Sequence, residues 1–87
     1  MEEIEYAIGA LPYVLENIVL FVKHKEDSGS IVACVNARQR DEISLIEDLR
    51  EKLPAYMIPN KVLFTDDLPK NKNGKIDRQA IQNWGLN

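Results

Sequence analysis

Cysteine and histidine occur once each in the 87 residues, as Cys34 and His24. A single cysteine cannot close an internal disulfide, and one histidine with one cysteine cannot assemble a His/Cys metal cluster or support a Ser/His/Asp triad. Aromatic residues make up only 7% of the chain. Few of them interleave with lysine, so the base-stacking platform of a single-strand binder is missing. Long apolar runs are missing as well. The longest is Ile18-Val19-Leu20-Phe21-Val22, far short of the roughly 20 residues of a membrane span. Three glutamates among the first five residues do not suit a signal peptide. The expectation is a cytoplasmic protein that binds neither membrane nor nucleic acid. Cys34, inside Ile31-Val32-Ala33-Cys34-Val35, reads as a small buried hydrophobe, and His24 as a surface residue at a strand end.

What is present is the material of one modest globular unit. Apolar residues at 45% and charged residues at 29% are ordinary for a folded chain. A chain of this size hides only roughly 60–65% of its unfolded surface, so one core is the limit. The net charge of -3 is unevenly spread. Residues 1–53 hold six Lys/Arg against eleven Asp/Glu, whereas residues 54–87 hold five against three. Lys70, Lys72, Lys75 and Arg78 lie close together in that basic end, where an anionic ligand is expected to dock.

Apolar spacing sets out the elements. Ile4, Ala7, Ile8 and Leu11 recur as one helical face across Met1 to Ala10, with Glu2, Glu3 and Glu5 near the positive end of the helix dipole. Pro12 ends that helix, and the β-branched stretch Val14 to His24 predicts a strand. The polar turn Glu26-Asp27-Ser28-Gly29-Ser30 leads to a second strand, Ile31 to Asn36, and the two suggest an antiparallel hairpin. Asp41 is placed to cap a second helix whose stripe Ile43, Ile46, Leu49 and Leu53 runs to Pro54. Val62 to Thr65 predicts a short third strand after Pro59. Asp77 then caps a last helix carrying Ala80, Ile81 and Trp84, with Gly85 at its exit. The fold class expected is α+β: a small three-stranded sheet, made of a hairpin and a short third strand, covered by about three helices as one domain over 1–87.

Asn73-Gly74 is a turn signal, since both residues tolerate positive φ, and Lys75 stands beside it. Taken locally, two readings remain: a solvated turn, or a turn that delivers one ammonium to a phosphate or carboxylate carried by another domain. A phosphate-cradling P-loop is excluded, because it requires Gly-x-x-x-x-Gly-Lys-Ser/Thr before a helix.

The order of two motifs goes further. Leu53-Pro54-Ala55-Tyr56-Met57-Ile58-Pro59, followed by Leu68-Pro69-Lys70-Asn71-Lys72-Asn73-Gly74-Lys75-Ile76-Asp77-Arg78, resembles the end of the adenylation domains shared by nonribosomal peptide synthetases and D-alanine–carrier-protein ligases. The opening Glu2-Glu3-Ile4-Glu5, with Pro12 and Val14 after it, extends the similarity over nearly all of the chain. Asn71 stands where the family usually has threonine; either side chain can brace a turn through its oxygen.

That resemblance implies a C-terminal lid subdomain of an adenylate-forming, AMP-binding ligase. Such an enzyme joins an amino acid to ATP and then passes the acyl group to the phosphopantetheine thiol of a peptidyl or acyl carrier protein. Lys75 is implied as the catalytic lysine of the first step. Lys75, Gly74 and Asn73 are implied near the nucleotide, together with Arg78, which could instead pair with an acidic residue. Asp77 is assigned to helix capping. No metal site is implied in this chain, and Mg2+ would come through the large N-terminal domain. That domain and its hinge are absent from these residues, so the piece is expected to be inactive by itself and to have that domain as its partner. Two rival readings are the lid of an acyl- or aryl-CoA synthetase and a non-catalytic module that binds a carrier protein.

Overall fold

A strand buried on both faces organises the molecule. The computed structural model describes residues 2–24 and 28–84; Met1, the Glu26-Asp27 part of the expected turn and Gly85 lie outside them. Strand β2 (Gly29–Ala37) runs between β1 (Val14–Lys23) and β3 (Lys61–Phe64). Its residues Val32, Ala33, Cys34 and Val35 are all buried. Such an unbroken apolar run suits a strand covered on both sides, where alternation with polar residues is not needed. Burial pushes the Cys34 thiol pKa up, which favours the protonated, unreactive form.

β1 pairs with β2 antiparallel, with Val19 opposite Ala33 and Leu20 opposite Val32. The expected hairpin is therefore present, with a register irregularity between Val14 and Glu16. β3 pairs with β2 in parallel, Val32 to Lys61 through Val35 to Phe64. A parallel partner needs a crossover, and helix α2 (Glu42–Arg50) supplies it.

Helix α1 (Glu2–Gly9) buries Ile4, Ala7 and Ile8, with Leu11 just beyond, as the spacing predicts. Together with α2 it covers one sheet face, where Ile8, Leu45 and Leu49 pack with Val19, Ala33, Val35 and Val62. Full burial of such side chains contributes about 1.5–3 kcal/mol each. Asp41 caps α2 as expected, its carboxylate accepting from the Ile43 amide at 3.1 Å. The buried face differs from the expected stripe. Ile43 is 71% exposed and Leu45 is fully buried, while Ile46 and Leu53 are half-buried. Leu45 and Leu49, one turn apart, face the sheet, and Ile43 is rotated out to solvent. The helix also stops at Arg50, and Leu53 follows in a turn whose amide donates to the Leu49 carbonyl at 2.9 Å.

The opposite sheet face is covered by the chain after β3. Leu68 and Ile81 pack there on Ile18, Leu20, Val32 and Cys34. Ile81 belongs to helix α3 (Arg78–Gln82), which Asp77 caps by accepting from the Ala80 amide at 3.1 Å. Trp84 lies past the helix end, its amide donating to the Ile81 carbonyl in a turn, and is 45% exposed. The result is the α+β architecture expected: helices on both faces of a three-stranded mixed sheet.

Candidate functional site

Lys75 is carried by the segment between the two elements that close the second sheet face, Leu68 and α3. The segment is closed at its neck. The Asp77 amide donates to the Pro69 carbonyl at 2.7 Å, and Lys70 and Ile76 form an antiparallel bridge. Farther out, the Asn71 amide donates to the Lys75 carbonyl at 2.7 Å, and the Gly74 amide donates to the Asn71 carbonyl at 3.0 Å. The apex is therefore Lys72-Asn73, one residue earlier than a turn centred on Asn73-Gly74. Gly74 follows it at φ +80°, the left-handed residue that ends a three-residue hairpin loop.

Asn71 braces the loop from inside. Its side-chain oxygen accepts from the Asn73 amide at 2.9 Å and from the Lys75 amide at 3.1 Å. The carboxamide thus holds the turn through an oxygen acceptor.

Of the four basic residues, two are tied down. The Lys70 ammonium lies 2.8 Å from Glu16 Oε2 on β1. That hydrogen-bonded ammonium holds the Glu16 carboxyl below the usual carboxylate range. Arg78 donates through Nη1 to the Val19 carbonyl at 2.7 Å and through Nη2 to Glu5 Oε2 at 3.2 Å. Lys72 and Lys75 are exposed, and neither ammonium has an ion-pair or hydrogen-bond partner among the described residues. Asn73 and Gly74 are exposed beside Lys75, and beyond Gly74 and its two chain neighbours no atom lies within 4 Å of where a Cβ on Gly74 would stand. The loop thus offers two unpaired ammoniums, and of the two it is Lys75 whose backbone amide the Asn71 side chain holds. Glu5 and Glu16 are the partners that sequence reasoning did not single out. Only their acidity, opposite the basic end of the chain, hinted at them.

Among the described residues, no group of three or more His, Cys, Asp or Glu side chains converges to hold a metal ion. No helix among them is long and apolar enough to cross a membrane.

A three-stranded mixed sheet sandwiched in this way is the architecture of the C-terminal domains of adenylate-forming enzymes. Residues 3–75 match the AMP-binding enzyme C-terminal domain, and the chain belongs to that family, one of AMP-forming ligases. It is 34% identical to the D-alanine–D-alanyl carrier protein ligase of Bacillus licheniformis over 94% of this chain and 18% of that protein. Its fold superimposes on a Mycobacterium tuberculosis fatty acyl CoA synthetase with a TM-score of 0.86 and 30% identity, covering 94% of this chain and 17% of that one. A four-domain nonribosomal peptide synthetase bound to AMP and glycine gives a TM-score of 0.81 and 31% identity over 90% of this chain and 6% of the synthetase. The chain spans less than a fifth of each of these proteins.

Proposed function

We propose that this chain is the mobile C-terminal lid of an ATP-dependent ligase that activates an amino acid and loads it onto a carrier protein, with Lys75 as its catalytic lysine. The observation that carries the reading is the unpaired Lys75 ammonium on a braced hairpin, beside two basic residues already held by Glu16 and Glu5. In adenylate formation a substrate carboxylate attacks the α-phosphate of ATP, and pyrophosphate leaves. Two anions must approach, and negative charge grows on the phosphorus oxygens. A preorganised ammonium reaching both groups offsets that repulsion without any proton transfer. Asn73 and Gly74 would line the approach to the nucleotide. Mg2+ would be held by the large N-terminal domain, this lid's first partner.

In the second step the lid turns as a rigid body, withdraws Lys75 and presents another face to the phosphopantetheine thiol of a peptidyl or acyl carrier protein. The likeness to a carrier protein ligase supports this acceptor. The likeness to a fatty acyl CoA synthetase supports a second reading, in which the acceptor thiol is coenzyme A. A cytoplasmic setting suits both.

The test is ATP–pyrophosphate exchange by the ligase that contains this chain, with and without Lys75→Ala. A loss of about 10²–10³ in exchange rate is expected, with much less effect on acyl transfer from a preformed adenylate. An exchange rate equal to the parent's would end the assignment. The lid by itself should show no exchange, and carrier protein against coenzyme A as acceptor decides between the two thiols.

A further inference from the structure

β1 lies at the edge of the sheet, so part of its backbone has no strand to pair with. At Val19 both backbone groups are taken by side chains. The amide donates to Glu5 Oε2 at 2.8 Å, and the carbonyl accepts from Arg78 Nη1 at 2.7 Å. The same Glu5 oxygen receives Arg78 Nη2 at 3.2 Å. Carboxylate, guanidinium and the backbone N–H and C=O of Val19 thus close a ring across the strand edge. Glu5 comes from α1, which packs on one face of the sheet, and Arg78 opens α3, which packs on the other. The two meet around the edge and join both layers.

We infer that Glu5 and Arg78 form a clasp over the edge of β1 that positions the Lys75 hairpin, so that Arg78 is a positioning residue and not a ligand of the substrate phosphates. Arg78 is next to Asp77, whose amide closes the hairpin neck on Pro69. Fixing Arg78 to Val19 therefore fixes the neck relative to the sheet. The other strand of the neck is held to β1 as well, through Lys70 and Glu16. A long side chain such as Lys75 amplifies any tilt of its base, and a misplacement of about 1 Å can cost a hundredfold in rate. A fork of donors reaching a carbonyl and a carboxylate together is a task for arginine, which lysine cannot fully repeat. The consequence for catalysis rests on the Lys75 reading above; the clasp itself does not.

Amide hydrogen exchange of the 87-residue chain, read residue by residue by NMR, tests the clasp. Arg78→Ala and Glu5→Ala should each speed exchange of the Asn71 and Asp77 amides about tenfold or more, while the amides of Val35 and Leu49 stay protected. Their combined effect should fall short of the product of the two. Arg78→Lys and Glu5→Gln should give intermediate values, and they carry the test if an alanine variant does not fold. The swap Glu5→Arg with Arg78→Glu should not restore protection, because each partner would then meet the wrong backbone group of Val19. Unchanged loop exchange in Arg78→Ala, or full rescue by the swap, overturns the clasp. In the ligase, Arg78→Ala should lower kcat for adenylate formation and leave KM for ATP in place. A raised KM for ATP with undisturbed loop exchange would instead make Arg78 a phosphate ligand. If Lys75→Ala has no effect on exchange of pyrophosphate, the catalytic reading fails alone, and the amide data still decide the clasp.

Discussion

Asn71 and Lys75 hold each other twice: the Asn71 amide donates to the Lys75 carbonyl at 2.7 Å, and the Asn71 side-chain oxygen accepts from the Lys75 amide at 3.1 Å. Main chain and side chain of one residue thus fix the backbone from which the ammonium projects. Asn71→Ala keeps the main-chain bond and removes the acceptor that also holds Asn73. Adenylate formation by the ligase should fall about ten- to a hundredfold. Asn71→Thr, which returns an oxygen, should recover most of it. Pyrophosphate exchange measured on both variants checks this, and equal rates for the two would show that the oxygen has no role.

Gly74 separates backbone strain from crowding. Its φ of +80° is costly for any residue with a Cβ, yet no atom of a residue beyond its two chain neighbours lies within 4 Å of where that Cβ would stand. Gly74→Ala should therefore cost about 1–2 kcal/mol, without displacing neighbours. Gly74→Asn should cost less, since asparagine tolerates the left-handed region better. Urea unfolding of the three proteins would rank them, and a larger penalty for asparagine than for alanine would contradict the conformational explanation.

Tyr13 ties the turn after α1 to α2, its hydroxyl donating to Asp48 Oδ2 at 2.6 Å. Burial, and then that bond to a carboxylate, push its pKa up to about 12. The folded state thus prefers the protonated phenol. The stability this contributes is complete below the ordinary tyrosine value of about 10 and is lost as pH rises toward about 12. Tyr13→Phe should lower stability at neutral pH by about 1–2 kcal/mol, and its melting temperature should depend less on pH above about 10. Thermal melts from pH 7 upward measure both effects. A variant with the parent's alkaline slope would rule Tyr13 out as its source.

Helix α2 offers a paired comparison. Leu49→Ala empties a fully buried site and should cost about 2–5 kcal/mol, a large part of the roughly 5–15 kcal/mol available to a native domain. Ile43→Ala, at a position 71% exposed, should stay within about 0.5 kcal/mol of the parent. Chemical denaturation of the two variants tells the faces of the helix apart. Comparable losses would place Ile43 back in the core.

The same helix shows where sequence reading runs out. Ile4, Ala7, Ile8 and Leu11 leave one choice of face, and all four are buried. In α2 the apolar residues Ile43, Leu45, Ile46 and Leu49 allow two overlapping stripes. Which one turns inward depends on how the crossover between β2 and β3 is seated, a tertiary fact. The parallel pairing of β3 has the same origin, since the alternation in a four-residue strand carries no direction. The Lys75 loop was legible because its contacts are local: Asn71, Gly74 and Asp77 bond within a few residues. Its anchors were not, because Arg78 finds Glu5 across 73 positions and no local pattern encodes such a meeting.

The bond from Asp77 to Pro69 has a consequence for descent. A segment that the chain ties off at its own base behaves as a cassette: residues 71–75 can be rewritten, lengthened or transplanted while the layers beneath keep their shape.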